Sequence, residues 1–201
     1  MTRISVIDYG VGNLFSMTNA LRKTSAEVEI VKTREEILSA DGVVLPGVGN
    51  FGAAVEKLSP LADAVLEAVD NGVHILGSCL GMQLLFEQSM EAEGKGLGLL
   101  RGWIMRFRQD QKTPHMGWNT IKATRESPLL EGIPDGSYFY FVHSYYPDPV
   151  NRKDSLAETE YGGVFTSIVE HDNIYGCQFH PEKSGKTGAT LLRNYVGLIR
   201  R

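Results

Sequence analysis

The chain has 201 residues, of which 42% are hydrophobic and 22% are charged, and its formal net charge is -4 at pH 7. This length allows one domain with a sizeable core, and the composition is that of a globular rather than a disordered protein. The acidic balance argues against nucleic-acid binding, which usually needs a basic surface. No apolar run reaches the roughly 18 residues that cross a membrane, so no membrane partner is expected.

The cysteine and histidine content points away from disulfide and metal chemistry. Two cysteines, Cys79 and Cys177, are too few for a disulfide framework, and the N-terminal sequence lacks the layout of a signal peptide. A reduced, cytoplasmic setting is therefore expected. The five histidines form no metal-binding motif, so we expect neither a metal nor a cofactor.

Strand-length apolar runs alternate with helical patterns in the first half of the chain. Strands are predicted over residues 4–7, 28–31, 42–45 and 73–76, and helices over 14–23, 51–58, 61–70 and 82–88. Pro60 separates the second helix from the third, because proline normally ends a helix. The alternation predicts parallel strands joined by crossover helices.

The second half of the chain has a different pattern, with several strand-like runs joined by short turns. These runs cover residues 103–107, 138–142, 164–169 and 174–179, and an amphipathic helix over 187–199 follows. They predict a more antiparallel extension of the same sheet. The whole chain, residues 1–201, is thus interpreted as a single three-layer α/β domain with a mostly parallel central sheet.

The segment Gly77-Ser78-Cys79-Leu80-Gly81 follows a buried strand and precedes a helical pattern. This is the arrangement of a nucleophile elbow with cysteine in place of serine, in which the flanking glycines avoid collisions in a tight turn. The N-terminus of the following helix would favour the reactive thiolate of Cys79. The alternative is a small buried cysteine in a glycine-rich turn, but the strand–elbow–helix context favours the nucleophile.

A candidate base and its orienting carboxylate lie near the C-terminus, in Phe179-His180-Pro181-Glu182. Residues two apart in an extended segment point the same way, so His180 and Glu182 can face one site. The carboxylate would fix the imidazole tautomer, and the imidazole would exchange protons with Cys79. The other histidines and Cys177 are interpreted as structural.

Residues 45–52 form a glycine-rich loop after the third predicted strand. Alternating glycines leave backbone N–H groups uncovered, so this loop can aim an N–H at a developing oxyanion. The N–H of Leu80, next to the nucleophile, would be a second donor. Taken alone, the loop would more often be an ordinary turn.

These segments together resemble the class I glutamine amidotransferases, which share a cysteine elbow, a glycine-rich oxyanion strand and a late His-Pro-Glu. Within that class the chain is similar to the glutaminase subunits of imidazole glycerol phosphate synthases of histidine biosynthesis. The residues that carry this resemblance span almost the whole chain: 8–10, 12–14, 45–49, 79–86, 114–119, 140–145 and 178–184. The run Pro114-His115-Met116-Gly117-Trp118-Asn119 is especially specific, and Ser78 departs from the aliphatic residue expected before the nucleophile.

The resemblance implies a flavodoxin-like fold and a role for each matching residue. Cys79 would be the nucleophile, His180 the base and Glu182 its orienting group, and glutamine would be hydrolysed to glutamate and ammonia. The backbone groups implied at the oxyanion are those of Val48, Gly49 and Leu80. The residues implied to hold glutamine are Gln83, Ser144 and Tyr145. The residues implied to lie toward the partner are His115, Trp118, Tyr140 and Lys183.

The implied partner is a separate (β/α)₈-barrel cyclase subunit, which forms a heterodimer with this chain and takes up the ammonia. Its products would be imidazole glycerol phosphate and an aminoimidazole carboxamide ribotide. The aromatic residues Trp118 and Tyr140 have the alternative interpretation of ordinary core or surface side chains. We also expect the Val48 N–H to point away from the site until the partner and its ligand bind.

Three other functions compete with this interpretation. The first is the same glutaminase chemistry serving another acceptor, such as a synthase of surface-sugar biosynthesis. The second is a stand-alone cysteine hydrolase or peptidase on the same elbow. The third is a non-catalytic binding module, against which the intact triad argues.

Overall fold

The computed structural model describes residues 2–200, which fold around one large sheet flanked by helices. The strands, in chain order, are β1 Arg3–Ile7, β2 Glu27–Val31, β3 Gly42–Gly47, β4 His74–Cys79, β5 Phe86–Ser89, β6 Leu100–Arg106, β7 His115–Thr120, β8 Lys122–Ala123, β9 Tyr138–His143, β10 Tyr145–Pro149, β11 Ser155–Glu160, β12 Val164–His171 and β13 Ile174–Cys177. The helices are α1 Leu14–Arg22, α2 Arg34–Leu38, α3 Phe51–Asp70, α4 Leu80–Gln83 and α5 Gly185–Leu198, with short 3₁₀ helices at Pro128–Leu130, Arg152–Asp154 and Pro181–Lys183.

The large sheet has eight strands in the order β2-β1-β3-β4-β13-β12-β11-β8. The first five are parallel to one another, and the last three continue the sheet antiparallel. This confirms the predicted fold class. The late strand β13 lies directly beside β4, with Cys177 opposite Ser78. The carboxyl ends of these two strands therefore meet, although the chain between them is long.

Successive residues of the central strands face opposite sides of the sheet, and each side has its own hydrophobic cluster. Val44 and Leu76 belong to the cluster that includes residues of α1 and α5. Val43 and Ile75 belong to the cluster that includes residues of α2 and α3. The result is the expected three-layer arrangement, with helices on both faces of the sheet. None of the helices within residues 2–200 is both long and apolar enough to span a bilayer.

Two strands predicted as part of the sheet extension belong instead to smaller sheets. The strand predicted over 103–107 is in β6, which pairs with β10 and β5, and the one predicted over 138–142 is in β9, which pairs with β7. The alternation of apolar and polar residues identifies a strand and its buried face, but it does not identify the neighbouring strand.

The two helices predicted on either side of Pro60 are one continuous helix, α3, with Pro60 in its interior. The expected break does not occur because Pro60 and Glu56, whose carbonyl loses its partner, both lie on the exposed face. Buried residues of both halves, such as Ala54 and Val65, pack into the same cluster and keep the helix in line.

The helix predicted over 82–88 is also wrong. The structure has a single helical turn, α4, that ends at Gln83, and the chain then extends into β5. Leu84, Leu85 and Phe86 are all buried. A short, continuous apolar run fits a buried strand as well as a buried helix, so its periodicity could not distinguish them.

Candidate active site

Cys79 occupies the sharp turn between β4 and α4, with φ +54° and ψ -110°. This conformation is rare for a residue with a side chain and is a form of strain found at functional sites. The neighbouring glycines permit it, because a Cβ on Gly81 would lie 1.7 Å from the Leu45 carbonyl oxygen and one on Gly77 would lie 2.6 Å from the backbone of Met82. The predicted elbow is therefore present, and it fixes where the sulfur points.

Cys79 is only 6% exposed, and its sulfur has two polar neighbours. The Gln178 amide nitrogen, Nε2, lies 3.7 Å from Sγ, and the Val142 carbonyl oxygen lies 3.8 Å from it. The helix after Cys79 has only four residues, so the helix dipole expected to favour the thiolate is short. The Gln178 amide, which donates toward Sγ, is a second source of positive partial charge near the sulfur.

His180 and Glu182 form the expected pair, with His180 Nδ1 2.9 Å from Glu182 Oε1. Both side chains are 3% exposed. Because the carboxylate only accepts, Nδ1 carries a proton and donates it, which leaves Nε2 available on the other side of the ring. Within residues 2–200, Nε2 has no hydrogen-bond partner. The base therefore has a free nitrogen for the reaction.

The charge on His180 is set by opposing effects. Burial disfavours the imidazolium, but interactions with the Cys79 thiolate and the Glu182 carboxylate outweigh it and raise the pKa of His180 to about 9. The backbone is held in place as well, since the His180 N–H donates to the Tyr140 carbonyl and the Ser184 hydroxyl donates to the His180 carbonyl. These contacts favour a protonated His180 beside the Cys79 sulfur and the Glu182 carboxylate.

The loop predicted to serve the oxyanion borders the elbow. A Cβ on Gly47 would lie 2.7 Å from the Gly81 nitrogen and 2.9 Å from the Tyr9 hydroxyl, which itself donates to the Pro46 carbonyl. Gly49, by contrast, has φ +112° and open space around it. The loop is thus packed tightly at Gly47 and has conformational freedom at Gly49.

A pocket of about 270 Å³ opens above the sulfur. Its lining residues are Val48, Gly49, Cys79, Leu80, Gln83, Glu91, Pro114, Val142, His143, Ser144, Tyr145 and His180. The structure therefore brings the predicted nucleophile, base, oxyanion loop and glutamine-binding residues to one cavity, with Glu182 behind His180. The volume is slightly below the roughly 300 Å³ at which pockets for drug-sized ligands begin, which suits a ligand as small as an amino acid.

Sequence reasoning missed several residues at this site. Gln178 belongs to the segment that carries the family resemblance, but its position before Phe179 gave no reason to aim its amide at Cys79. Glu91 lines the pocket and accepts a hydrogen bond from the Phe51 N–H at the start of α3. A single glutamate in a polar loop has no sequence signal that would identify this contact.

The four residues expected toward a partner differ in exposure. Trp118 is 55% exposed and makes an edge-to-face contact with the half-buried Tyr140, their ring centroids 6.0 Å apart. Lys183 is exposed. His115 is 4% exposed and hydrogen-bonded to His143, so its side chain is not part of the outer surface.

No group of three or more His, Cys, Asp and Glu side chains suited to holding a metal ion occurs among the described residues. Cys79 and Cys177 are both unpaired thiols.

Known proteins are similar to this chain in sequence. A family model for class I glutamine amidotransferases matches residues 5–197. The chain is 48% identical to the imidazole glycerol phosphate synthase subunit HisH of Methanocaldococcus jannaschii, covering 98% of this chain and 100% of that protein. It is also 48% identical to the HisH subunit of Halobacterium salinarum, covering 96% and 92%.

Solved structures show the same fold at lower identity. The structure of PurLQS from Thermotoga maritima superposes with a TM-score of 0.76 and 18% identity, covering 98% of this chain and 98% of that one. The chain therefore belongs to the class I glutamine amidotransferases, whose family model spans nearly its whole length. Within that class it belongs to the family of the HisH subunits.

Proposed function

We propose that this chain is the glutaminase subunit of an imidazole glycerol phosphate synthase and works as a single domain. The observation that carries the proposal is the strained Cys79 elbow beside the buried His180–Glu182 pair, in a pocket of amino-acid size. The similarity to HisH subunits along nearly their whole length supports the acceptor pathway. The unpaired thiols of Cys79 and Cys177 support a reducing, cytoplasmic setting.

The first half-reaction transfers the glutamyl group to sulfur. The Cys79 thiolate attacks the side-chain amide carbon of glutamine, and the carbonyl oxygen gains negative charge. The Leu80 N–H stands at the first position of α4, where it has no intrahelical acceptor, and is one donor to that oxygen. The His180 imidazolium then gives its proton to the departing nitrogen, ammonia leaves, and a glutamyl thioester remains.

The second half-reaction restores the thiol site. Neutral His180 takes a proton from a water molecule as the water attacks the thioester carbon. The carbon–sulfur bond breaks, glutamate leaves, and the thiolate–imidazolium pair forms again. Glu182 keeps the ring in one tautomer through both steps, so that Nε2 handles each proton.

The product ammonia has to reach an acceptor without being protonated in bulk water, which requires a partner docked over the site. The partner is a (β/α)₈-barrel cyclase subunit that forms imidazole glycerol phosphate and an aminoimidazole carboxamide ribotide. The exposed Trp118 and Lys183, with Tyr140 beside Trp118, are the residues of this chain that would contact it.

The oxyanion loop is the element through which the partner would control hydrolysis. The Val48 N–H turns toward the site only when the partner and its ligand are bound. The conformational freedom for this turn is expected at Gly49, which has open space around it, whereas Gly47 lies close against the elbow. A subunit without its partner would then lack one oxyanion donor, whose loss costs about 2.7–4 kcal/mol of barrier in comparable enzymes.

The test is glutamate release by the chain alone, with a barrel cyclase subunit, and with the cyclase and its nucleotide ligand. Activity should rise at each addition, and Cys79→Ala should abolish it in the full complex. Growth of a histidine auxotroph carrying this chain tests the acceptor pathway separately. Failure to complement, with glutaminase activity retained, would point to another acceptor. Full activity without any partner would contradict the Val48 mechanism.

A further inference from the structure

Asn119 on β7 has an amide whose orientation is fixed by two backbone groups. Its Oδ1 accepts a hydrogen bond from the Thr120 N–H at 2.8 Å, and its Nδ2 donates to the Glu160 carbonyl at 3.0 Å. The same Nδ2 lies 3.2 Å from His115 Nε2. Because an amide nitrogen only donates, His115 Nε2 must be unprotonated and accept.

That assignment determines the proton positions of two buried histidines. A neutral His115 with a bare Nε2 carries its proton on Nδ1, which lies 2.9 Å from His143 Nε2. His143 Nε2 therefore accepts, and its own proton is on Nδ1, 2.8 Å from the Tyr145 carbonyl. Each ring donates through Nδ1 and accepts through Nε2. The hydrogen bonds of the pair therefore all run in one direction, from Asn119 toward the Tyr145 carbonyl.

Beyond His143 the hydrogen bonds converge on the Tyr145 carbonyl, which accepts from the histidine side and from the side of the nucleophile. The Tyr145 carbonyl also accepts from Gln83 Nε2 at 3.1 Å, and Gln83 Nε2 donates to Gln178 Oε1 at 3.2 Å. With its oxygen engaged, Gln178 presents its NH₂ group to Cys79 Sγ at 3.7 Å. The amide orientation of Gln178 is thus set by Gln83, and it places a donor at the sulfur.

We propose that this chain of hydrogen bonds, from Asn119 through the neutral His115–His143 pair and Gln83 to Gln178, is a positioning device that holds a donor on the Cys79 thiolate. It ties the sulfur to β7, whose outward residues Met116 and Trp118 are more than half exposed. The inference rests on the proposed function for the role of Cys79 as nucleophile.

The surroundings of the two histidines favour their neutral forms. His115 lies between the rings of Tyr161 and Phe141, at centroid distances of 4.0 and 4.8 Å, and Phe107 contacts both imidazoles. Burial lowers the pKa of His115 to about 4. Burial is also the main cause that lowers the pKa of His143 to about 3, opposed by its hydrogen bond to the Tyr145 carbonyl and aided by the nearby His115 and His180. A second proton on either ring would set two donors face to face and break the chain.

Imidazole ¹⁵N NMR of the full-length protein tests the proton positions directly, without any substitution. Both His115 and His143 should be neutral at pH 7 with the proton on Nδ1. A proton on Nε2 of either ring, or an imidazolium, would overturn the proposal. Neither result depends on whether the protein hydrolyses glutamine, so a failure here is separate from a failure of the proposed function.

Alkylation of Cys79 by iodoacetamide at pH 7, followed by peptide mass spectrometry, tests the link to the sulfur. Gln178→Leu removes the donor and should lower the alkylation rate about tenfold, the loss expected for a hydrogen bond to a charged group. His171→Asn, a matched change in a partly exposed histidine outside the chain, should leave the rate unchanged.

A pair of substitutions at His143 separates hydrogen bonding from volume. Asparagine is smaller than histidine, but its Nδ2 can still donate to Tyr145, whereas leucine fills the space and donates nothing. His143→Asn should therefore be alkylated at Cys79 faster than His143→Leu. Equal rates, or the reverse order, in folded variants would contradict it, and so would an unchanged rate in Gln178→Leu.

Discussion

His180 lies beside the Cys79 sulfur and the Glu182 carboxylate, and all three side chains are almost fully buried. In such surroundings the charge of an imidazolium is poorly screened, so a negative charge on either neighbour favours it. The Glu182 carboxylate adds to this, although its second oxygen, Oε2, has no hydrogen-bond partner within residues 2–200. The pKa of His180 therefore depends on the charge of the Cys79 sulfur as well as on that of Glu182.

An NMR titration of His180 should give a pKa of about 9 in the intact protein. Cys79→Ala removes one of the groups that raise this pKa, so the value should fall. Cys177→Ala, a change in a buried thiol of the adjoining strand, is the matched control and should leave it in place. A His180 pKa at the ordinary histidine value in the unchanged protein would contradict the ion-pair description.

The same pKa fixes how His180 affects stability. Its folded-state value of about 9 lies above the ordinary 6.5, so the folded chain binds the proton more tightly than the unfolded chain. The stabilisation is fully present below pH 6.5 and is lost as the pH rises through about 9. The difference in unfolding free energy between the protein and His180→Gln, measured in urea, should therefore shrink over that window.

Glu182→Gln should lower kcat by about 10²–10⁴-fold while changing KM little, because an amide can leave the ring in the wrong tautomer and cannot stabilise the imidazolium. Glu126→Gln, at an exposed position, should have no effect. Kinetics of the complex with its cyclase would show this. A loss confined to KM would mean that Glu182 serves binding instead.

At the scale of elements, the elbow depends on the absence of a side chain at Gly81. Gly81→Ala would drive a methyl group into the Leu45 carbonyl, which is backbone and cannot move aside, so we expect a loss of more than about 3 kcal/mol of unfolding free energy. Gly197→Ala, in the last turn of α5 with open space around it, should instead stabilise slightly, by up to about 0.5 kcal/mol. Urea melts compare both, and equal effects would refute the packing argument.

Pro60 gives a test of the uninterrupted helix α3. Its ring removes one backbone hydrogen bond on the exposed face, which costs about 3 kcal/mol relative to alanine, offset by up to about 1 kcal/mol from its stiffening of the unfolded chain. Pro60→Ala should therefore raise the unfolding free energy by about 2 kcal/mol. A destabilised variant would mean that the proline sets a bend on which the packing of α3 depends.

The elements most open to prediction were those with a strong local signal. The buried parallel strands β1, β3 and β4 were predicted from their apolar runs, and the elbow from its glycines. Helix α2 was missed, although Thr33 and Glu36 form a capping box at its start. It has only five residues, too few for a helical period to show. Gln178 was missed because amide orientation depends on neighbours that are distant in sequence.

At the scale of the whole molecule, the parallel half of the sheet was predictable because its first strands alternate with helices, although the order of the strands was not, since the connection from β2 to β3 passes over β1. The two small sheets were not, since β6 pairs with the later β10 and β7 with the later β9, and no local pattern encodes these partners. The site joins residues from both parts. Its candidate catalytic residues carried local sequence patterns and could be predicted as such, while the places of Glu91 and Val142 in the pocket could not.

The exposed face of β7 should be part of the contact with the cyclase. Trp118→Ala is expected to weaken the complex by about 2 kcal/mol, roughly thirtyfold in Kd, because buried tryptophans dominate many interfaces. Its urea midpoint should stay unchanged, since the side chain is exposed. Val164→Ala, at another exposed apolar position, is the control for calorimetric titration. An unchanged Kd for Trp118→Ala would place the interface elsewhere.

The position of β13 in the sheet has a consequence during protein synthesis. This strand is synthesised long after β4, yet it fills the place between β4 and β12. At about 5–20 residues per second, the roughly one hundred residues between Cys79 and His180 take on the order of 5–20 s to translate. Throughout that interval the nascent polypeptide has the sulfur of Cys79 but not the imidazole of His180, so hydrolysis of glutamine cannot begin before His180 has been translated.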